Sequence, residues 1–389
     1  MDSVTSDAVY QDRILPYVSR TFALTIPQLP PALRTAVTSA YLLCRIADTI
    51  EDEPALSAAE TLAFLQRFRA TVSECAESAP LARDLSRRLS DRTLPEERDL
   101  VNNMERVIRM TGALDELPRS AIQRCVDLMC YGMPHFQLSA SVRGLARSSD
   151  LDDYCYYVAG VVGEMLTELF CAHSADIARR RPALQSLAAS FAQGLQMTNI
   201  LKDVWEDRSR GACWLPQDVF TRHGVDLAPL SPESQDAGFA AGMCELTAVA
   251  HAHLRNALAF TLLVPAKETG IRRFCLWAIG LAVLTLQKIH GNPQFTAGKE
   301  VKVSRSAVAM TRLLTSATVR SDWLLRQLFE FAARGLPLAP LPPAVPRTTT
   351  VLGASEPIPL HGRHAPRPQP DASAPLERVR RRSDGSAAT

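Results

Sequence analysis

The sequence predicts an all-α protein, and three observations carry that prediction. Apolar residues recur at helical spacing over 31–52, 56–76, 95–111, 117–140, 149–173, 182–208, 232–263, 267–290 and 304–334. Alternating β-branched runs are few, and no strand, glycine turn and helix follow one another. Helix-opening signals also stand near the starts of the periodic stretches.

Taken in order, Ser57-Ala-Ala-Glu60 and Thr93-Leu-Pro-Glu96 read as capping boxes, in which an oxygen and a carboxylate satisfy backbone N–H groups that a helix start leaves unpaired. Ser231-Pro232 places a cap before a proline and opens an Ala-rich helix that ends near Pro265. The longest apolar run, Phe274 to Leu286, has thirteen residues. A bilayer takes about 20, so a buried core helix is expected and no transmembrane segment. From Pro337 onward the chain holds 11 of its 26 prolines, few large apolar residues and the basic cluster Arg378-Val-Arg-Arg-Arg382. Such a segment buries too little surface to offset its ordering entropy. The expected organisation is one helical domain, 1–336, followed by a disordered tail, 337–389, whose basic cluster offers a peripheral membrane contact.

Composition narrows the function classes. The 389 residues are 47% hydrophobic, enough for a large core, and 43 Lys+Arg nearly balance 41 Asp+Glu. That balance argues against nucleic acid as a partner. Nine cysteines scatter between Cys44 and Cys275 without a CxxC pair, which reads as buried thiols in a reducing compartment. The N-terminus lacks a basic region followed by an apolar one. A monomeric cytoplasmic protein is expected.

Two acidic motifs carry the chemistry. Asp48-Thr-Ile-Glu51-Asp52 closes one predicted helix, and Asp203-Val-Trp-Glu206-Asp207 closes another about 150 residues later. Carboxylates at i, i+3 and i+4 share one helix face, where like charges repel unless cations neutralise them. A lone triplet of this kind is usually a solvated face. Here Ala40-Tyr-Leu-Leu-Cys-Arg-Ile-Ala47 and Leu195-Gln-Met-Thr-Asn-Ile-Leu201 precede the motifs, so the carboxylates project from core helices. Two such clusters facing each other can hold Mg²⁺ through hard oxygen donors, with water and substrate phosphates completing the coordination.

Around these motifs the chain resembles the squalene/phytoene synthase family. The likeness rests on Ser19-Arg20-Thr21-Phe22, Tyr41, Arg45, Tyr154-Cys-Tyr-Tyr157-Val-Ala-Gly160-Val-Val-Gly163, Gln196-Met-Thr-Asn199, Arg210-Gly and Trp214-Leu-Pro216, in order over roughly 10–310. It implies the single-domain helical isoprenoid synthase fold with a central cavity. It also implies head-to-head condensation of two farnesyl diphosphates to presqualene diphosphate, then reduction to squalene by NADPH.

The resemblance further implies residue roles. Asp48, Glu51, Asp52, Asp203, Glu206 and Asp207 would form the Mg²⁺ shell, with the four aspartates as the catalytic ligands. Arg20, Arg45 and Arg210 would grip the diphosphates through forked donors, helped by Ser19, Thr21 and Gln196. Tyr157 would handle the proton, since a phenol can donate to diphosphate and later accept a proton. Phe22, Tyr41 and Phe274 would line the pocket, where π-faces stabilise cations; core packing explains Phe274 equally well. Gly160 and Gly163 permit close helix approach, and His251-Ala-His253 is no metal pair because i and i+2 diverge on a helix. Asn199, Lys302 and Arg305 would meet NADPH. No GxGxxG motif follows a strand, so that cofactor would lie against helices.

Departures from the family pattern keep alternatives open. Lys202 stands before Asp203 where an Arg is frequent, and Val301-Lys302-Val303-Ser304-Arg305 displaces the second basic residue. A phytoene-, dehydrosqualene- or presqualene-type synthase would need no NADPH. A non-catalytic partner of a terpenoid enzyme is the reading from another class, although both acidic motifs are complete.

Overall fold

Prolines and capping side chains set where the helices begin. The computed structural model describes residues 3–19, 21–75, 77–137 and 140–341. These lie in the first of two units, Met1–Thr348, and the second, Thr349–Thr389, is outside the described residues together with the Arg378 to Arg382 cluster.

α1 (Ser3–Val18) and the single turn α2 (Phe22–Thr25) precede α3 (Pro31–Glu51), which opens with proline where its missing N–H costs nothing. α4 (Ala58–Glu74) starts on the expected box: the Ser57 N–H donates to Glu60 Oε2 at 2.9 Å, and the Glu60 N–H to Ser57 Oγ at 3.4 Å. α5 (Ala79–Ser86) follows. The second expected box is off by one residue. α6 (Pro95–Asn102) is capped by Glu97, which accepts the Leu94 N–H at 3.4 Å, while Thr93 donates to Glu53 instead. Asn103 then breaks the helix expected over 95–111, so α7 (Met104–Gly112) is separate. α8 (Glu116–Gln137) comes next.

α9 (Ser148–Cys155), a π-helical turn (Tyr156–Gly160) and α10 (Val161–His173) form one continuous rod. α11 (Ala175–Ala178), α12 (Arg181–Lys202), α13 (Val204–Ser209) and α14 (Gln217–Arg222) follow. The helix expected from 232 starts later. Ser231 and Ser234 are tied in a turn at 2.8 Å, and α15 (Ala237–Leu263) opens where the Asp236 carboxylate accepts the Phe239 N–H at 2.8 Å. α16 (Thr269–Gly291), α17 (Arg305–Thr318) and α18 (Asp322–Ala332) complete the set, with Ser304 and Ser321 as caps. The turn between α17 and α18 divides the helix expected over 304–334. Among the described residues there is no strand, only an isolated bridge between Leu145 and Pro216.

Helix neighbours form a closed circuit. α3 packs on α8, α8 on α10, α10 on α12 and α12 on α16; α16 returns to α3 through α2 and the 3₁₀ turn Ile26–Gln28. α15 lies along α12 outside this ring. Close approach is built in at Gly163, where a Cβ would sit 1.9 Å from the Ala188 carbonyl oxygen of α12. Two stretches, Ser148–His173 and Thr269–Gly291, are long and apolar enough to cross a bilayer, but most of each is buried in this core.

Arg272 on α16 is 1% exposed and acts as an internal clasp. It donates to the Val264 carbonyl at 2.8 Å and the Val319 carbonyl at 3.0 Å, and it pairs with Asp322 at 2.7 Å. These bonds tie the α17–α18 turn to the end of α15. Contacts also run a little past the expected domain boundary at 336. His251 Nδ1 donates to the Pro337 carbonyl at 2.8 Å, and the Ala339 N–H donates to the Ala248 carbonyl at 3.3 Å.

Candidate active site

The two acidic motifs come from opposite sides of the ring and meet. Arg210, just after α13, pairs with Asp52 at the end of α3 at 3.8 Å. The charges interact as well: Asp207 opposes ionisation of Glu51, and Asp52 opposes that of Asp207. Asp203 caps the end of α12 and the start of α13, so the second motif straddles a helix junction rather than a single helix face.

Crowding and desolvation raise the carboxylate pKa values. The Asp48 side chain keeps 39% of its surface, yet protein surrounds it closely. Burial, then repulsion from Asp52 and Glu97 against attraction from Arg45, pushes its pKa up to about 7. Asp207 also reaches about 7, through burial and then Asp203. Glu51 rises well above the ordinary range and Asp52 rises too, with burial the first cause in both.

Lys202 holds Asp203 at 2.7 Å, and Glu206 accepts the Gly298 N–H at 3.2 Å from the loop between α16 and α17. Among the described residues no three His, Cys, Asp or Glu side chains form a ready-made metal cage. The donor set nevertheless fits Mg²⁺. It consists of hard oxygens, and Glu51 Oε1 is buried with no hydrogen-bond partner. Mg²⁺ typically takes one or two carboxylates and completes its octahedron with water and phosphate.

The other expected residues divide by location. Tyr41 on α3 donates to the Val18 carbonyl at 2.9 Å, and burial pushes its pKa to about 12. Its ring lies 5.2 Å from that of Phe22, which lies 6.3 Å from Phe274. These three form one apolar wall where α2, α3 and α16 meet. Ser19 Oγ accepts the Phe22 N–H at 3.0 Å, a local cap, and Thr21 precedes α2 without a side-chain cap bond. Arg20 lies outside the described residues. Gln196 is half-buried on α12.

Arg45 pairs with Asp48 at 3.8 Å and more tightly with Glu97, and its Nε is buried without a partner. Sequence reasoning missed Glu97. Its signal was the capping pattern of α6, misread by one position.

Tyr154, Tyr156 and Tyr157 are all buried but face different neighbours. Tyr154 stacks on Trp214 at 4.1 Å and 10°. Its pKa is raised by burial first, then by Glu51 and Asp52, with Asp207 also contributing, so this ring senses both motifs. Tyr156 donates to Glu164 at 3.2 Å. Tyr157 sits on the π-helical turn against Gly132 of α8, and π turns often mark functional sites.

Asn199 is exposed on α12, one turn before Asp203. Lys302 and Arg305 are exposed beside Ser304, the cap of α17, and make no ion pair among the described residues. Among the described residues no hydrogen bond or ion pair joins them to Asn199. The loop before them is fastened to α13, because Trp205 Nε1 donates to the Phe295 carbonyl at 2.7 Å and Glu206 holds Gly298. Of the two histidines, His253 meets Ser190 at 2.8 Å while His251 turns to Pro337.

A family model described as squalene/phytoene synthase matches residues 15–307. Squalene synthase ERG9 of Candida albicans is 28% identical over 315 residues, covering 79% of this chain and 66% of that protein. Squalene synthase clz20 of Cochliobolus lunatus is 30% identical over 306 residues, covering 77% and 69%. The chain thus spans about two thirds of the length of these relatives. Among solved structures, TcSQS with the ligand E5700 is similar at TM-score 0.69 and 22% identity, over 84% of this chain and 91% of that one. A dehydrosqualene synthase in complex with ligand gives 0.60 and 21%, over 82% and 98%. At these identities the structures speak for the fold alone.

Proposed function

Since the chain belongs to the squalene/phytoene synthase family, we propose that it joins two farnesyl diphosphates head to head and reduces the resulting presqualene diphosphate to squalene with NADPH. The observation that carries this reading is the meeting of the two acidic motifs across Arg210 and Asp52, beside an apolar wall of Phe22, Tyr41 and Phe274.

Asp48, Glu51, Asp52, Asp203, Glu206 and Asp207 would hold Mg²⁺, which when bound offsets charge on the leaving diphosphate. Arg45 and Arg210 already lie against these carboxylates and would exchange part of that pairing for phosphate oxygens. Tyr157, three residues beyond Tyr154 in the buried segment, would give its proton to the departing diphosphate and, as the phenolate so formed, take up the proton lost on ring closure. The aromatic wall keeps water from the allylic cation and stabilises it through its π-faces. Lys302, Arg305 and Asn199 offer cations and an amide for NADPH, which when bound supplies hydride.

Product analysis tests the reading. Farnesyl diphosphate with Mg²⁺ alone should accumulate presqualene diphosphate, and added NADPH should convert it to squalene. Asp48→Asn or Asp207→Asn should lower turnover by about 10³-fold or more with helical circular dichroism intact. Undiminished turnover in excess EDTA would remove the metal assignment. Were NADPH to change neither product nor rate, a phytoene- or dehydrosqualene-type reaction would replace the second step.

A further inference from the structure

α17 has no buried residue, although it is a full helix of 14 residues. Its inner side is settled by two contacts. Thr311 packs over Gly280 of α16, where a Cβ would lie 2.5 Å from its methyl group, and the Arg312 guanidinium lies 4.6 Å from the Trp277 ring centre. The stripe turned away carries Met310, Leu313, Leu314 and Ala317, at the i, i+3, i+4, i+7 spacing of an amphipathic face. Leu313 is 64% exposed and Met310 53%. Trp323, at the start of α18, is 67% exposed, whereas Trp205, Trp214 and Trp277 are buried. This exposure is not that of a frayed end. The Arg272 clasp on Val319 and Asp322 fixes the turn that joins the two helices.

Charge identifies the partner. Between residues 301 and 321 the chain holds Lys302, Arg305, Arg312 and Arg320 and no Asp or Glu. Methionine and leucine along one side of α17, an exposed tryptophan at the start of α18, and basic residues without a carboxylate from 301 to 321 make the pattern of a segment that lies in the interface of an anionic bilayer. The apolar side chains enter the acyl boundary while the arginines stay among the phosphates. We propose that α17 and the start of α18 dock this protein on an anionic lipid surface, independently of the basic cluster at residues 378–382 and of the reaction catalysed.

The test uses the full chain and phosphatidylcholine vesicles with or without phosphatidylglycerol. The protein should sediment with the anionic vesicles, less so as salt rises, and bind neutral ones weakly. Tryptophan emission should shift to the blue on binding, and Trp323→Phe should abolish the shift. Leu313→Gln/Leu314→Gln should weaken partition by about tenfold or more while leaving circular dichroism and turnover of micelle-free farnesyl diphosphate unchanged. Wild-type partition by that double variant would overturn the proposal and assign binding to another segment, as would a shift that survives Trp323→Phe. Loss of self-association in light scattering, with vesicle binding untouched, would overturn it in favour of a second copy of the chain.

Discussion

Replacing Gly132 with alanine asks whether the position of Tyr157 matters to the chemistry. A Cβ at Gly132 would lie 2.1 Å from Tyr157 Cγ, 2.3 Å from Cδ1 and 2.6 Å from Cβ. Reaching an ordinary 3.4 Å contact requires the ring to retreat by about 1.3 Å. It has little room to do so, being 8% exposed and set against Tyr156 at 5.3 Å and Phe136 at 6.4 Å. Because the Tyr157 Cβ is also struck, the π turn itself must shift. Two stability effects oppose each other. Alanine contributes about 1 kcal/mol over glycine in a helix, while overpacking costs about 1–3 kcal/mol. The net change in melting temperature should therefore be modest and downward. Catalysis is more sensitive, since a displacement of about 1 Å can cost about 100-fold. Diphosphate release from farnesyl diphosphate and Mg²⁺ should thus fall by about 10- to 100-fold in a protein that still melts cooperatively. Turnover within about twofold of wild type, with a raised melting temperature, would show that only helix propensity had changed and that Tyr157 has no positional role.

Three further outcomes follow from the packing. Gly163→Ala meets a backbone oxygen, Ala188 O at 1.9 Å, so no side chain can yield; a loss of about 3 kcal/mol and a clear drop in melting temperature are expected, and an unchanged melt would mean α10 and α12 can separate freely. Asp7 is 3% exposed and bound by Arg106 at 2.8 Å and Arg109 at 3.0 Å. Burial alone would raise its pKa, but the hydrogen bonds from Arg109 and Arg106 outweigh it and hold the value below the ordinary one. Its contribution is therefore present above the unfolded pKa of about 4 and lost as pH falls through the folded value. Asp7→Asn should cost about 2 kcal/mol at pH 7, less than a fully buried pair because the arginines are partly exposed, and its melting temperature should approach that of wild type as pH falls through the lowered folded value; a constant gap across pH would refute this. Finally, a chain ending at Leu341 should melt like the full one, whereas ending at Gly335 removes the bonds of Pro337 and Ala339 to α15 and should lower the melting temperature by a few degrees, measured by differential scanning calorimetry.

Most of the helical pattern was legible because burial of one face writes a 3.6-residue period into the chain, as in α3, where Leu42, Leu43, Ile46, Ala47 and Ile50 are all buried. The acidic motifs stood out for the same reason: charge at i, i+3, i+4 interrupts an apolar run. What periodicity hides are short breaks between segments of like composition. Asn103 and Asp203 end helices without a proline or glycine, and the π turn at Tyr156–Gly160 adds a residue inside an apolar stretch. Partners distant in sequence were equally hidden. Nothing near Arg45 announces Glu97, 52 positions away, and nothing near Glu206 announces Gly298.

The π turn makes the long rod from Ser148 to His173 a shaft with two headings. An α-helix advances about 100° per residue, so the single extra residue offsets the two halves by roughly that angle. The first half can then aim Tyr154 at the carboxylates while the second aims Gly163 at α12. A one-residue deletion between positions 156 and 160 would restore regular winding and swing one half away from its neighbour, whichever residue was removed. Length there is fixed by the headings of both halves, so this stretch should reject any insertion or deletion.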